Sequence, residues 1–186
     1  YHRFSPILRI TKNAQVWNFE KELINLKPDI IHTHGFRHPH SNKVIKIAKK
    51  LKVPCYLTTH APFLEKGLRN PISQLAVNLF NIFLSKKILN SYTRVFAISK
   101  WEVPHLIKLG CNPKKIHDLP NGVSKEFHKI KPKHKKKAIY MGRVAPIKNI
   151  ETVLSAAKEL PEIKFTIYGP VEKNFKIKSE LKNVKI

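Results

Sequence analysis

Ala138-Ile-Tyr-Met-Gly-Arg-Val-Ala-Pro-Ile-Lys-Asn-Ile-Glu-Thr-Val-Leu154 carries the clearest strand–loop–helix pattern in the chain. Ala138 to Met141 is a short apolar run of strand type, Gly142 a turn, Arg143 and Lys148 two cations, and a helix follows. Asn149 is expected to cap that helix, since its side-chain oxygen can accept from backbone N–H groups that lack a partner. Glu151 falls in the first turn, where the helix dipole favours an acid. Ile150, Val153, Leu154 and Ala157 share one helical face. Strand end, cationic loop and helix start together make a place to hold an anion, because ligands of open α/β sheets bind just beyond the carboxyl ends of the strands. Arginine grips phosphate bidentately and lysine adds a point charge. The plainer alternative is a strand–loop–helix unit with two solvated cations.

Working outward, the same alternation recurs. Ile30 to Gly35 is a buried-type strand running into a glycine turn, preceded by a helix over about 16–26 and followed by one over 41–51. Val53 to His60 is a second strand. Ile72, Leu75, Ala76, Leu79, Phe80, Phe83 and Leu84 form one helical stripe, expected to pack on a core, with a helix on a membrane surface as the lesser reading. Thr93 to Ile98 is a third strand. Ser99 and Glu102 match a capping box opening a helix that Gly110 ends. Pro104 is expected to cost this helix a hydrogen bond and kink it. Lys115 to Leu119 is a short strand and Pro120-Asn-Gly122 a turn. Beyond the opening stretch come strand Lys164 to Tyr168, a turn at Gly169-Pro170 and a weak helix near 173–182. Such alternation predicts an α/β protein with mainly parallel sheets. The run Lys129-Ile-Lys-Pro-Lys-His-Lys-Lys-Lys137 is the expected boundary: residues 1–128 form one doubly wound unit, 129–137 a solvated linker, and 138–186 the start of a second unit.

The 186 residues carry 36 Lys+Arg against 12 Asp+Glu, a net charge of +24 that favours anionic partners: nucleotides, nucleic acid or an acidic membrane surface. No aromatics interleave the lysine run, so a base-stacking platform for nucleic acid is not indicated. No apolar stretch reaches the ~20 residues needed to span a bilayer. Cys55 and Cys111 define neither a disulfide framework nor a metal cluster and read as reduced thiols. The chain starts at Tyr1 and ends in Asn-Val-Lys-Ile186, which reads as the beginning of a strand, so a piece of a longer protein is expected.

Polar residues gather where strands end: His32, His34, Thr59, His60, Ser99, Asn121, Arg143, Tyr168 and Gly169. In parallel sheets these ends share one side of each unit. No acid pair stands out for hydrolysis, and there is no P-loop, Gly-x-Gly-x-x-Gly or Gly-x-Ser-x-Gly elbow. His32, His34, His38 and His40 lie close in sequence, but Pro39 and the lack of Cys or acid ligands argue against a metal site.

Asp29-Ile-Ile-His-Thr-His-Gly35, Thr58-Thr-His-Ala-Pro62, Val95-Phe-Ala-Ile-Ser99, Pro120-Asn-Gly-Val123, Gly142-Arg-x-x-x-x-Lys148-Asn149 and Tyr168-Gly-Pro170 occur in this order. Together they resemble the retaining nucleotide-sugar glycosyltransferases of the GT-B fold, family 4, the glycosyl transferase group 1 type. The resemblance runs from about Leu26 to Pro170. It implies two Rossmann-like lobes, the first on the acceptor side and the second holding the donor, with no required metal or other cofactor. It implies that Arg143 and Lys148 hold the diphosphate of a UDP- or GDP-sugar and stabilise the leaving group. His60 matches a histidine beside the donor sugar, and His34 lines the acceptor side. Asn121 and Gly122 form the turn into the second lobe. Gly142 opens the cationic loop, and Gly169 permits close backbone approach to the nucleotide. The acceptor implied is a glycan, glycolipid or lipid-linked glycan of surface polysaccharide type; the reduced thiols point to the cytoplasm, and the positive charge suits a peripheral place at the inner face of an anionic membrane. The family's glycine-rich loop after the first strand and its Glu-x7-Glu motif are not found, so both lobes are expected to be incomplete. The rival is an inactive fragment, or a non-catalytic module holding nucleotide or nucleic acid.

Overall fold

The computed structural model describes residues 6–9, 15–17, 19–60, 63, 70–129, 136–173, 175–176 and 179–186. The chain divides into two units, Tyr1–Gly122 and Val123–Ile186.

Unit 1 opens with β1 (Pro6–Arg9) paired antiparallel to β2 (Gln15–Trp17), then α1 (Glu20–Asn25). The expected helix over 16–26 is therefore shorter at its start. A four-stranded parallel sheet follows, β3 (Ile31–His34), β4 (Cys55–Thr58), β5 (Arg94–Ala97) and β6 (Ile116–Asp118), with neighbours in chain order. The crossovers are α2 (Pro39–Leu51), a long helix over 71–91, and α5 (Glu102–Lys108). The long helix is built of α3 (Pro71–Phe80), a π-helical turn (Asn81–Ser85) and α4 (Lys86–Ser91).

Period-two alternation gives the sheet two different faces. Ile31, Thr33, Cys55, Leu57, Val95 and Ala97 are buried, and all but Thr33 share one core with Val44, Ile45, Ile47 and Ala48 of α2, Leu89 of α4 and Leu106 of α5. The other parity carries His32, His34, Tyr56, Phe96 and His117, all exposed or half-buried. Their rings form a continuous row across the strands: His32 meets His34 at 4.5 Å and Phe96 at 5.6 Å, Tyr56 stacks on Phe96 at 5.7 Å, and Phe96 meets His117 at 6.5 Å.

Local chemistry sets the helix ends. Pro39 occupies the first turn of α2, where its missing N–H costs nothing, and Lys52 ends the helix in the left-handed region at φ 58°. The same logic corrects the expected kink in α5: Pro104 lies in the first turn, whose N–H groups have no intrahelical partner to lose. The capping box does not form either. The Ser99 side chain caps nothing, and Glu102 is fully buried, accepting a hydrogen bond from the Thr59 hydroxyl. Gly110, at φ 81°, does end the segment.

The helix over 71–91 departs most from expectation. Asn70 caps it by accepting from the Ser73 N–H at 2.8 Å. Of its apolar stripe, Phe80 packs against the core as expected, but Ile72, Leu75, Ala76, Leu79, Phe83 and Leu84 are exposed, with Ile82 exposed beside them. Phe80 is half-buried, and Ser85 and Leu89 are fully buried. Asn81 accepts from Arg37 Nε at 3.1 Å and lies 3.3 Å from the Ser85 hydroxyl. Inward polar groups that find hydrogen bonds are tolerated, and the larger apolar side has no partner among the described residues.

Unit 2 contains α6 (Lys125–Lys129), β7 (Lys137–Met141), α7 (Ile150–Glu159), β8 (Lys164–Tyr168) and β9 (Val184–Lys185), the strands parallel in the order β7-β8-β9. Val144, Ile150 and Ile167 are its core, with Tyr140, Val153, Leu154, Phe175 and Val184 packed around them. Ile139, Met141 and Tyr168 lie exposed on the other face of the sheet. No helix occurs among the described residues of 173–182. The start of β9 is instead pinned by Asn183, whose side-chain nitrogen reaches the carbonyls of Ala157, Leu160 and Ile163 at 2.8, 3.1 and 3.0 Å. Of the lysine-rich run 129–137, residues 130–135 lie outside the described residues, as do Ala61 and Pro62.

Candidate functional site

Each unit presents one polar cluster at the carboxyl edge of its parallel sheet. In unit 1, β3 and β4 run in register with His34 beside Thr58. After β4 the chain turns at His60, a non-glycine residue at φ 56°. That turn brings the His60 ring against His34, with Nε2 of His60 2.8 Å from Nδ1 of His34 and ring centres 5.0 Å apart. His32 Nε2 bonds the Thr58 hydroxyl at 2.8 Å. The strand end is fixed from behind: the His34 carbonyl accepts from the Ser41 hydroxyl at 3.1 Å and lies 3.1 Å from His40 Nε2. Gly35, at φ 88°, is obligatory here, because a Cβ would sit 2.4 Å from the His38 ring.

Burial lowers the pKa of His32 and His34 from imidazole's ordinary 6.5, and the charges of neighbouring histidines lower it further, His34 and His60 acting on His32 and His60 on His34. His40 is lowered by burial as well, partly opposed by its bond to the His34 carbonyl. A hydrogen bond between two ring nitrogens needs one donor and one acceptor, so in the pair His34–His60 one ring donates its N–H and the other accepts. His34 Nε2 and His60 Nδ1 are not used in that bond, and together they can donate to and accept from a polyhydroxylated ligand. Among the described residues, no group of three or more His, Cys, Asp or Glu side chains could hold a metal ion.

In unit 2 the loop 142–149 leaves the carboxyl end of β7. Gly142 N–H bonds the Tyr168 carbonyl at 2.9 Å, and Val144 N–H the Pro170 carbonyl at 3.0 Å, so the loop is laced to the end of β8. Gly169 has φ 148°, and a Cβ there would lie 1.8 Å from the Gly142 carbonyl oxygen. Two backbones thus meet where only glycine fits. Val144 and Ala145 are buried and anchor the loop, whereas Arg143 and Lys148 are exposed. Among the described residues neither cation has an ion-pair partner. Asn149 does not cap α7: it is left-handed at φ 47° and makes no side-chain cap bond.

The sequence profile of the family described as Glycosyltransferase Family 4 matches residues 3–127. The chain belongs to that family. Among solved structures, Anabaena Alr3699/HepE in complex with UDP is similar, at 15% identity and TM-score 0.57, with 82% of this chain and 43% of that one covered. The same protein with UDP and glucose gives 16% identity, TM-score 0.52 and coverage of 82% and 42%. With UDP-glucose it gives 15%, 0.50, and 80% and 42%. The chain thus spans less than half the length of these structures, and at such identity the likeness shows the fold: two Rossmann-like α/β units of the GT-B type. No curated protein matches the sequence.

Within this family-4 chain the structure brings His34 and His60 into contact, and Gly142 and Gly169 likewise. Arg143 and Lys148 share one loop. Asn121 and Gly122 sit apart from the histidines, in an exposed irregular segment after β6, two strands along from β4. Gly122 has open space around it and no positive φ, so nothing local demands glycine there. Sequence reasoning passed over Glu102 as a tie for the site. Its fully buried carboxylate holds Thr59, the residue before His60, while its Oε1 has no partner. An acid at the first position of a helix reads as a capping element, and only the packing of α5 against β4 reveals the other role.

Proposed function

We propose that this family-4 chain forms part of a retaining nucleotide-sugar transferase, one that moves a hexosyl group from a UDP- or GDP-sugar to a glycan, glycolipid or lipid-linked acceptor. The acceptor-side lobe corresponds to the first unit, Tyr1–Gly122, and the donor lobe to the second, Val123–Ile186, so the boundary falls ahead of the lysine-rich run 129–137 rather than within it. The observation that carries this reading is the loop 142–149: two exposed cations without ion-pair partners, held at the carboxyl end of a parallel strand by glycine-only contacts. HepE, solved in complex with UDP and with UDP-glucose, supports the choice of donor class.

In this reading Arg143 and Lys148 hold the donor diphosphate. Negative charge builds on the leaving phosphate as the glycosidic bond to it lengthens, and preorganised cations lower that barrier. Gly142 and Gly169 keep the loop base free of side chains. His60 stands beside the donor sugar and His34 on the acceptor side, both as hydrogen-bonding groups. Asn121 and Gly122 lie where the first lobe gives way to the second. The protein works in the cytoplasm, peripheral on the inner face of an anionic membrane.

Calorimetric titration with UDP and GDP tests the donor role. Wild type binds one of them, and Arg143→Ala weakens that binding about thirtyfold, the worth of about 2 kcal/mol of charge-assisted hydrogen bonding. Equal affinity in the two proteins removes Arg143 from the site. Indifference to both nucleotides, with steeply salt-dependent binding of RNA, favours instead a non-catalytic module acting through its lysines.

A further inference from the structure

Most of the apolar surface of the helix over 71–91 faces away from the protein, while Phe80, Ile88 and Leu89 pack on the core. Fully exposed side chains include Ile72 at 84%, Phe83 at 72% and Ile82 at 71% relative accessibility, with Leu75 at 59% beside them. The side turned to the protein holds Asn81 and Ser85, each in hydrogen bonds. A face of this kind, continuous over several turns and rimmed by polar residues, marks an interaction surface rather than scattered exposure.

Charge identifies what it meets. From Lys66 to Trp101 the sequence contains no Asp or Glu, while Lys66, Arg69, Lys86, Lys87, Arg94 and Lys100 are cations. Lys86 and Lys87 follow the apolar stripe directly and are exposed. A second copy of this chain would bring +24 against +24. A lipid surface with anionic headgroups supplies an apolar layer for the stripe and countercharge for the lysines at the same time. Among the described residues no helix is long and apolar enough to cross a membrane, which fits a helix lying in the plane of the interface. Lysine stems reach along apolar surface to place their charges among phosphates.

We infer that the outward apolar face of the 71–91 helix is a docking surface for an anionic phospholipid bilayer, inserting Ile72, Leu75, Ile82 and Phe83 below the headgroups. The inference rests on the peripheral location proposed above and names the surface responsible. It orients unit 1 so that the helix lies on the membrane, which suits a lipid-borne acceptor.

The test is flotation of the full chain with vesicles of phosphatidylcholine alone or of equal parts phosphatidylcholine and phosphatidylglycerol. Wild type floats with the anionic vesicles and not with the neutral ones, and added salt weakens the binding. The triple substitution Ile72→Ser, Ile82→Ser, Phe83→Ser lowers the partition coefficient at least about tenfold, and Lys87→Ala lowers it about fivefold. Circular dichroism melts check that each variant is folded, and UDP and GDP titration in parallel keeps the transferase reading separate: nucleotide binding is the same in wild type and triple variant. A triple variant that floats like wild type overturns the assigned surface, the lysines alone then holding the protein. Wild type that fails to float with anionic vesicles overturns the membrane itself as occupant. A concentration-dependent dimer that the triple substitution converts to monomer, seen by light scattering, also overturns it in favour of a second copy.

Discussion

In α2, Val44, Ile45, Ile47 and Ala48 are buried against the sheet and the lysines face water. In the helix over 71–91, Ile72, Leu75, Ile82 and Phe83 face water, and Asn81 and Ser85 face the protein. Both segments show helical periodicity in sequence, and both are crossovers between adjacent parallel strands. They even touch, since the hydroxyl of Tyr92, just after the second helix, donates to the Ser41 carbonyl of the first at 2.6 Å. The pair teaches that periodicity fixes a stripe without fixing its direction. In α2 the apolar side is also the only side that can fill the core. In 71–91 the core contacts are made from the middle of the helix onward, by Phe80, Ile88 and Leu89, while Asn81 and Ser85 satisfy their polar groups internally.

Substitutions can break or sharpen that contrast. Ile47→Ala should have the largest effect, losing about 3 kcal/mol of stability through a cavity that α2 cannot close, read as a lower denaturant midpoint. Tyr92→Phe comes next. It leaves the Ser41 carbonyl without its donor in a buried place, at a cost of about 1–2 kcal/mol, and shows how far the two helices support one another. The pH dependence is gentler. His32, His34 and His40 bind fewer protons folded than unfolded, so stability rises with pH and is lost as pH falls through 6.5 toward the lower folded values. Thermal melts across that window should show the decline, and His32→Asn should flatten it. Smallest of all, Phe83→Ser should change stability by no more than about 0.5 kcal/mol, because its side chain is already in water. A loss as large as that of Ile47→Ala would mean the outward face is covered, and the contrast would fail.

The site shows the same division. The loop from Gly142 to Asn149 was legible because cation, glycine and strand end are adjacent in sequence. The contact of His34 with His60 was not, since 26 residues separate them and only the parallel register of β3 with β4 places their strand ends side by side. The role of Gly169 was half legible: a tight backbone approach was expected, but its partner within the protein, the Gly142 carbonyl, is visible only in three dimensions. Glu102 shows how local grammar misleads, because Ser-x-x-Glu spacing looks like a cap wherever it occurs, and burial beside Thr59 outweighed it.

By itself the sequence determined the alternation of strands and helices, the parallel class of both sheets, the punctuation at Gly35, Gly110 and Gly169, and the excess of positive charge. These follow from short-range rules: side-chain period, backbone freedom and composition. Tertiary structure alone decided which side of each helix meets the sheet, which polar groups become neighbours across strands, and where an apolar face is left open. Those outcomes depend on how elements compete for one core, and that competition is settled between residues far apart in the chain.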